Sequence, residues 1–292
     1  MSDGGRIFVI GAAHLDRRMT VVSADLEASE DRQHFVSAEL SAGGTGLNLA
    51  RACARAGRPA VFVPVIGNDL LGTAILGKLE TSDFLEIRPV RAKVASTIVD
   101  LIFVKHNDKQ NRLVFGPSLS PVDAVDEMAL GEALEDAGAS DLVIVDGYLL
   151  RLRRRGLETL FSRLVENGAR IALEFAPHAI WQFRTLADLR RSLECCDRIS
   201  ASIATVERCF AVEPRPAMEF GERVERLQGM LRQFANTRWH LRGGWKDSEF
   251  VALVGADSVQ MIRYGIHHGA PFALGDSQFV GELLSACSPD AS

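Results

Sequence analysis

Acidic, glycine and amide residues follow apolar runs at four points in this sequence, and each point could hold chemistry. GAAHLD places Asp16 just after the first apolar run, where it is either a turn aspartate or a ligand-facing carboxylate. AGGTGLN brings Gly43 and Gly44, which let backbone approach a ligand closely, beside Asn48 as a polar reader. LRGGWK sets Gly243 after another apolar run, as a phosphate approach or a plain hairpin turn. In ALGDSQFVGELL, Gly275 and Asp276 stand where a helix should begin, so unpaired N–H groups and the helix dipole favour an anion such as phosphate. A carboxylate beside a bound phosphoryl group could take the proton of an attacking hydroxyl. The same aspartate could instead be a helix N-cap worth about 1 kcal/mol.

The elements that must position these residues follow a strand–helix rhythm. Arg6–Ile10 reads as a buried strand, and Val61–Ile66, Leu142–Val145, Ile171–Phe175, Arg198–Ala201 and Arg238–Leu241 as others. Helices are expected after Gly44 up to Gly57, then over Leu70–Leu79, Leu157–Asn167, Leu186–Leu193, Met218–Phe234 and about Asp276–Ala286. Two short strands, Phe250–Val254 and Val259–Ile262, precede the last helix. Alternation of this kind predicts an α/β fold with a mostly parallel central sheet and helices on both faces. Ligands of such sheets bind at the carboxyl ends of the strands, where all four loops fall. A more polar stretch, about 18–40, with strand-like pieces at Met19–Val22 and His34–Ser37, and a stretch of alternating apolar and polar residues, about 90–116, predict a small β lid on a single domain spanning 1–292.

Composition narrows the function classes. The 292 residues are 47% hydrophobic and 24% charged with a net charge of -5, which gives no reason to expect nucleic acid as a partner. No apolar stretch is long enough to span a bilayer, and the N-terminal run reads as a strand rather than a signal peptide. Five cysteines with no C-x-x-C or Cys/His spacing suit reduced thiols in the cytoplasm. No G-x-G-x-x-G separates the first strand from its helix, which argues against a dinucleotide-binding dehydrogenase.

Taken in order, the motifs resemble one family. AGGTGLNLARACARAGRPAVFVPVIGNDLLG is similar to the N-terminal signature of the PfkB family, with Gly43, Gly44, Asn48, Gly67, Asp69 and Gly72 in step. GAAHLD matches that family's opening strand, LEFAPHAIW its mid-chain segment with Pro177 and Trp181 kept, and ALGDSQFVGELL its Gly-Ala-Gly-Asp helix. The resemblance implies a ribokinase-like fold and transfer of the γ-phosphoryl group of ATP, with Mg2+, to a hydroxyl of a sugar, nucleoside or related alcohol. It gives Asp276 the place of the catalytic base and puts Ala273, Leu274 and Gly275 at the anion hole. Asp16, Gly43, Gly44 and Asn48 take the substrate-binding places, Gly243 the nucleotide loop, and Glu207 a place near magnesium. Pairing of two copies through the lid is a further expectation.

Departures from the pattern gather on the nucleotide side. Ala273 and Leu274 replace a glycine and an alanine, Leu241 stands where the nucleotide loop has threonine, and Ala204 replaces the asparagine of Asn-x-x-Glu. The chain also ends soon after its last helix, where relatives usually continue. Substrate-side residues are better kept. An impaired relative acting as a small-ligand sensor or partner is therefore the alternative expectation.

Overall fold

A computed structural model describes residues 5–21, 35–79, 84–93, 97, 99–105, 110–115, 121–151, 154–175, 186–213, 218–243, 250–263, 279–281 and 283–284. Its main sheet is built on β1 (Ile7–Ala12), β4 (Val61–Gly67), β5 (Glu86–Ile87), β6 (Val90–Ala92), β9 (Leu142–Asp146), β10 (Arg170–Phe175), β11 (Arg198–Ser202), β12 (Arg238–Arg242), β13 (Phe250–Val254) and β14 (Val259–Arg263). The strand order is β14-β13-β12-β11-β10-β9-β1-β4-β5, with β6 also beside β4. Pairing is parallel from β5 to β12 and antiparallel only across β12–β13–β14.

Why the central strands are unbroken apolar runs is clear from the two cores. Phe8 and Ile10 point into one layer, Ile7 and Val9 into the other. A strand covered on both faces has no solvent side to mark with polar residues. One layer is covered by α1 (Thr45–Arg55), α2 (Leu70–Leu79) and the helical residues 279–281 and 283–284. The other is covered by α3 (Pro121–Ala124), α4 (Glu127–Ala133), α5 (Arg154–Glu166), α6 (Leu186–Glu194), α7 (Ile203–Cys209) and α8 (Phe220–Leu231). Gly57, with φ of 72°, ends α1 in a conformation glycine adopts freely.

A second sheet of four strands forms the lid: β2 (His14–Val21), β3 (Phe35–Gly43), β7 (Val99–Lys105) and β8 (Gln110–Phe115), in the order β3-β2-β7-β8. The chain passes from β1 through Ala13 directly into β2, so the lid grows out of the first core strand. Two boundaries differ from the sequence expectation. Residues 90–92 are β6, hydrogen-bonded in parallel to β4 in the main sheet, because Val90 and Ala92 are buried there. The lid also begins at His14 rather than near residue 18, since β2 pairs with β3 from His14, opposite Gly43, onward.

The lid base is tied to the core by Asp69. Its carboxylate accepts from the Gly72 N–H (2.7 Å) at the start of α2, and from the Thr97 hydroxyl (2.6 Å) and N–H (2.7 Å) just before β7. The Thr97 hydroxyl also accepts from the Gly67 N–H, and a side chain on Gly72 would lie 2.3 Å from the Gly67 carbonyl oxygen. The Gly-x-Asp-x-x-Gly spacing is thus a steric and capping requirement at one junction. Burial pushes the Asp69 carboxyl up, but the bonds from Thr97 and Gly72 outweigh it and hold it below the ordinary range.

Candidate active site

The residues expected on the substrate side meet where β1 enters the lid. Asp16 lies on β2 opposite Ser41 of β3, and its carboxylate leans over Gly43, where an added Cβ would lie 2.0 Å from Oδ2. Gly44 has φ of 109°, and a side chain there would strike the His14 ring and the Ala12 carbonyl oxygen. Both glycines are therefore demanded by close approach. Asn48, partly exposed, sits in the first turn of α1, its N–H donating to the Gly44 carbonyl (2.9 Å). One turn later Arg51 donates to the Ala42 carbonyl (3.0 Å) and lies within electrostatic reach of Asp16. The structure thus brings Asp16, Gly43 and Gly44 together and sets Asn48 on the adjoining helix start.

A residue not singled out in the sequence fixes this junction. Gly44 caps α1 without a side chain, so the N–H groups of the first turn need another acceptor. Asp146, the last residue of β9, supplies it: Oδ2 accepts from Gly46 N–H (3.2 Å) and Ala12 N–H (3.1 Å), and Oδ1 from Tyr148 N–H (3.0 Å). Gly11 and Gly46 leave room for the carboxylate and for each other. The signal in the sequence was a carboxylate closing an otherwise apolar strand, LVIVD.

Asp146 is fully buried, and that burial, helped by the neighbouring Glu174 and opposed by the bonds from Tyr148, Ala12 and Gly46, raises its carboxyl to about 7. A carboxyl raised on folding stabilises the fold when protonated, and that contribution is lost as pH rises from about 4 towards about 7. Chemical denaturation across that window is expected to show this falling component in the wild type. It should be missing from Asp146→Asn, whose side chain does not titrate. Identical pH slopes in both proteins would refute the assignment.

The opposite half of the edge lies beyond β9, about 20 Å from β1 to β12 at ~4.8 Å per strand. Here β10, β11 and β12 place Glu174, Ser200 and His240 in one register row. Arg242 donates to Glu174 Oε1, and the Ser200 hydroxyl lies 3.4 Å from His240 Nδ1. Burial and the nearby Arg242 hold His240 well below its ordinary range, at about 3, so the ring is neutral at physiological pH. Gly243 follows Arg242 at the end of β12 and is partly exposed.

Glu207 is one turn into α7, 1% exposed, with Oε1 accepting from Arg223 Nε (2.9 Å) and Oε2 from Arg223 Nη2 (2.7 Å). Those contacts suit an ion pair clipping α7 to α8 rather than a carboxylate offered to magnesium. At the strand end itself stand Ser202 and Thr205, their hydroxyls 2.7 Å apart, with Ser202 capping α7. Among the described residues no group of three or more His, Cys, Asp or Glu could hold a metal ion. Ala273, Leu274, Gly275 and Asp276 lie outside the described residues, as do Pro177 and Trp181. No described helix is long and apolar enough to cross a membrane.

Comparison with known proteins follows the same pattern. The profile described as pfkB family carbohydrate kinase matches residues 5–228. Among solved structures, phosphofructokinase-2 from Escherichia coli in complex with fructose-6-phosphate superposes with a TM-score of 0.74 at 15% identity, over 97% of this chain and 87% of that one. Ribokinase from Giardia lamblia gives 0.70 at 16%, over 96% and 82%. A carbohydrate kinase from Agrobacterium tumefaciens gives 0.65 at 17%, over 97% and 84%. No curated protein sequence matches the chain.

Proposed function

Because the chain belongs to the pfkB family of carbohydrate kinases, we propose that it transfers the γ-phosphoryl group of ATP to a hydroxyl of a sugar, nucleoside or related alcohol. The observation that carries this reading is the junction of Asp16, Gly43 and Gly44 at the lid base, with Asn48 beside it. Asp16 and Asn48 are the groups that fix the acceptor's hydroxyls. Asp276 takes the proton of the attacking hydroxyl as its oxygen bonds to the γ-phosphorus. The bond from that phosphorus to the β-bridging oxygen breaks, and ADP leaves with the electron pair. Backbone N–H groups at Ala273, Leu274 and Gly275 face the negative charge on the transferred group. Gly243 lets the nucleotide approach the end of β12.

Magnesium, in this reading, neutralises charge on the phosphates. Glu207 does not fit as its ligand, being engaged at both oxygens by Arg223, so no step is assigned to it. Pairing of two copies through the lid belongs to the same proposal.

A thermal-shift screen of sugars and nucleosides tests the substrate side. At least one polyhydroxylated ligand should raise the wild-type melting temperature. Asp16→Ala should weaken its binding by about 1–3 kcal/mol, the cost of leaving pocket groups unpaired. A wild type that answers to none of them would count against the reading, as would unchanged affinity in the variant.

A further inference from the structure

One charged pair at the carboxyl edge has no task in the reading above. Glu174 lies on β10 and Arg242 ends β12, with Ser200 of β11 in register beside Glu174. Along β12, Trp239 and Leu241 point into the layer covered by α7 and α8, so Arg242 lies on the opposite face of the sheet. There a guanidinium nitrogen donates to Glu174 Oε1. The Glu174 side chain is 4% exposed and that of Arg242 20%.

A carboxylate buried so deeply needs a charged partner, and Arg242 is one. The pair leaves one donor unused: Arg242 Nε is buried and makes no hydrogen bond. A buried donor without an acceptor is uncommon, and at the edge of an α/β sheet it marks a place where an anionic ligand supplies one. Arginine suits such a place. Its planar fork can give one edge to a carboxylate and another to phosphate oxygens. We propose that Arg242, held in position by Glu174, grips an anionic phosphoryl group in the polyphosphate portion of the donor. Identification of that anion as a donor rests on the kinase reading, whereas the anion site itself rests on Glu174 and Arg242. Gly243, the next residue, adds no side chain to obstruct the approach.

Arg242→Met alone would leave Glu174 buried and uncompensated, so the test uses the pair Glu174→Gln with Arg242→Met, which removes both charges. Calorimetry with inorganic tripolyphosphate and, separately, with ATP is run on the full chain. The double variant should melt within a few degrees of the wild type, with binding of both probes weakened about tenfold or more, the loss of a charge-assisted contact. KM for ATP should rise by the same factor while acceptor binding holds. Arg242→Lys keeps a charge beside Glu174 but loses the fork, and should also bind both probes more weakly. Wild-type affinity in either folded variant would overturn the proposal, as would a wild type that does not bind tripolyphosphate. Tripolyphosphate binding lost in the variants, with no transfer from ATP in the wild type, would sink the kinase reading and leave the anion site standing.

Discussion

Asparagine at position 276 is expected to slow phosphoryl transfer by about 10²–10⁴-fold, the usual worth of a positioned general base, and to leave acceptor binding nearly intact. The change keeps size and one hydrogen-bond acceptor but abolishes proton uptake. Its place in the sequence is specific: Asp276 follows Gly275 and comes three residues before Phe279, which is helical and packs against the His240 ring. Steady-state rates with acceptor and ATP varied independently separate the outcomes. A fall in kcat with little change in acceptor affinity supports the base, because the group acts only as the proton moves. An unchanged kcat with a lowered melting temperature would make Asp276 a helix cap and nothing more.

Alanine at Glu207 is expected to have the largest effect on stability, about 3–5 kcal/mol, the cost of stranding one member of a buried ion pair. The stranded group is Arg223, 11% exposed on α8. Denaturant unfolding of Glu207→Ala reads the loss directly. Replacing Glu207 and Arg223 together by leucine should recover most of it, since removal of both charges is often close to neutral. ATP affinity with magnesium should be the same in the folded double variant as in the wild type. A large magnesium-dependent loss of ATP affinity there, with stability recovered, would restore Glu207 to the metal site.

Buried strands were legible because their surroundings leave them no choice. Val61–Gly67 and Leu142–Val145 are apolar throughout because helices cover both faces. The helix Leu70–Leu79 was legible at both ends, with Asp69 as its starting signal. The lid boundary at 90–92 was not, because alternation marks a half-exposed ribbon and a short outer strand of the main sheet equally well. α7 passed unnoticed, although Ser202 and Thr205 at three-residue spacing announce its cap. At the lid junction, Asp16, Gly43, Gly44 and Asn48 were singled out from loop chemistry, and the structure sets them side by side. Asp146 and the Glu174–Arg242 pair were not. Asp146 acts on residues 100 and 134 positions away, and Arg242 meets a carboxylate 68 positions earlier. No local pattern encodes such meetings; the strand order does.

Phosphorus NMR of the wild type mixed with ATP, magnesium and the best ligand from the screen tests the central claim most directly. The kinase reading predicts that the γ-phosphate resonance disappears, that ADP grows in step, and that a new phosphomonoester resonance matches it in amount. A ligand that binds firmly while ATP stays intact, or gives only ADP and free phosphate at the same rate without that ligand, would contradict it.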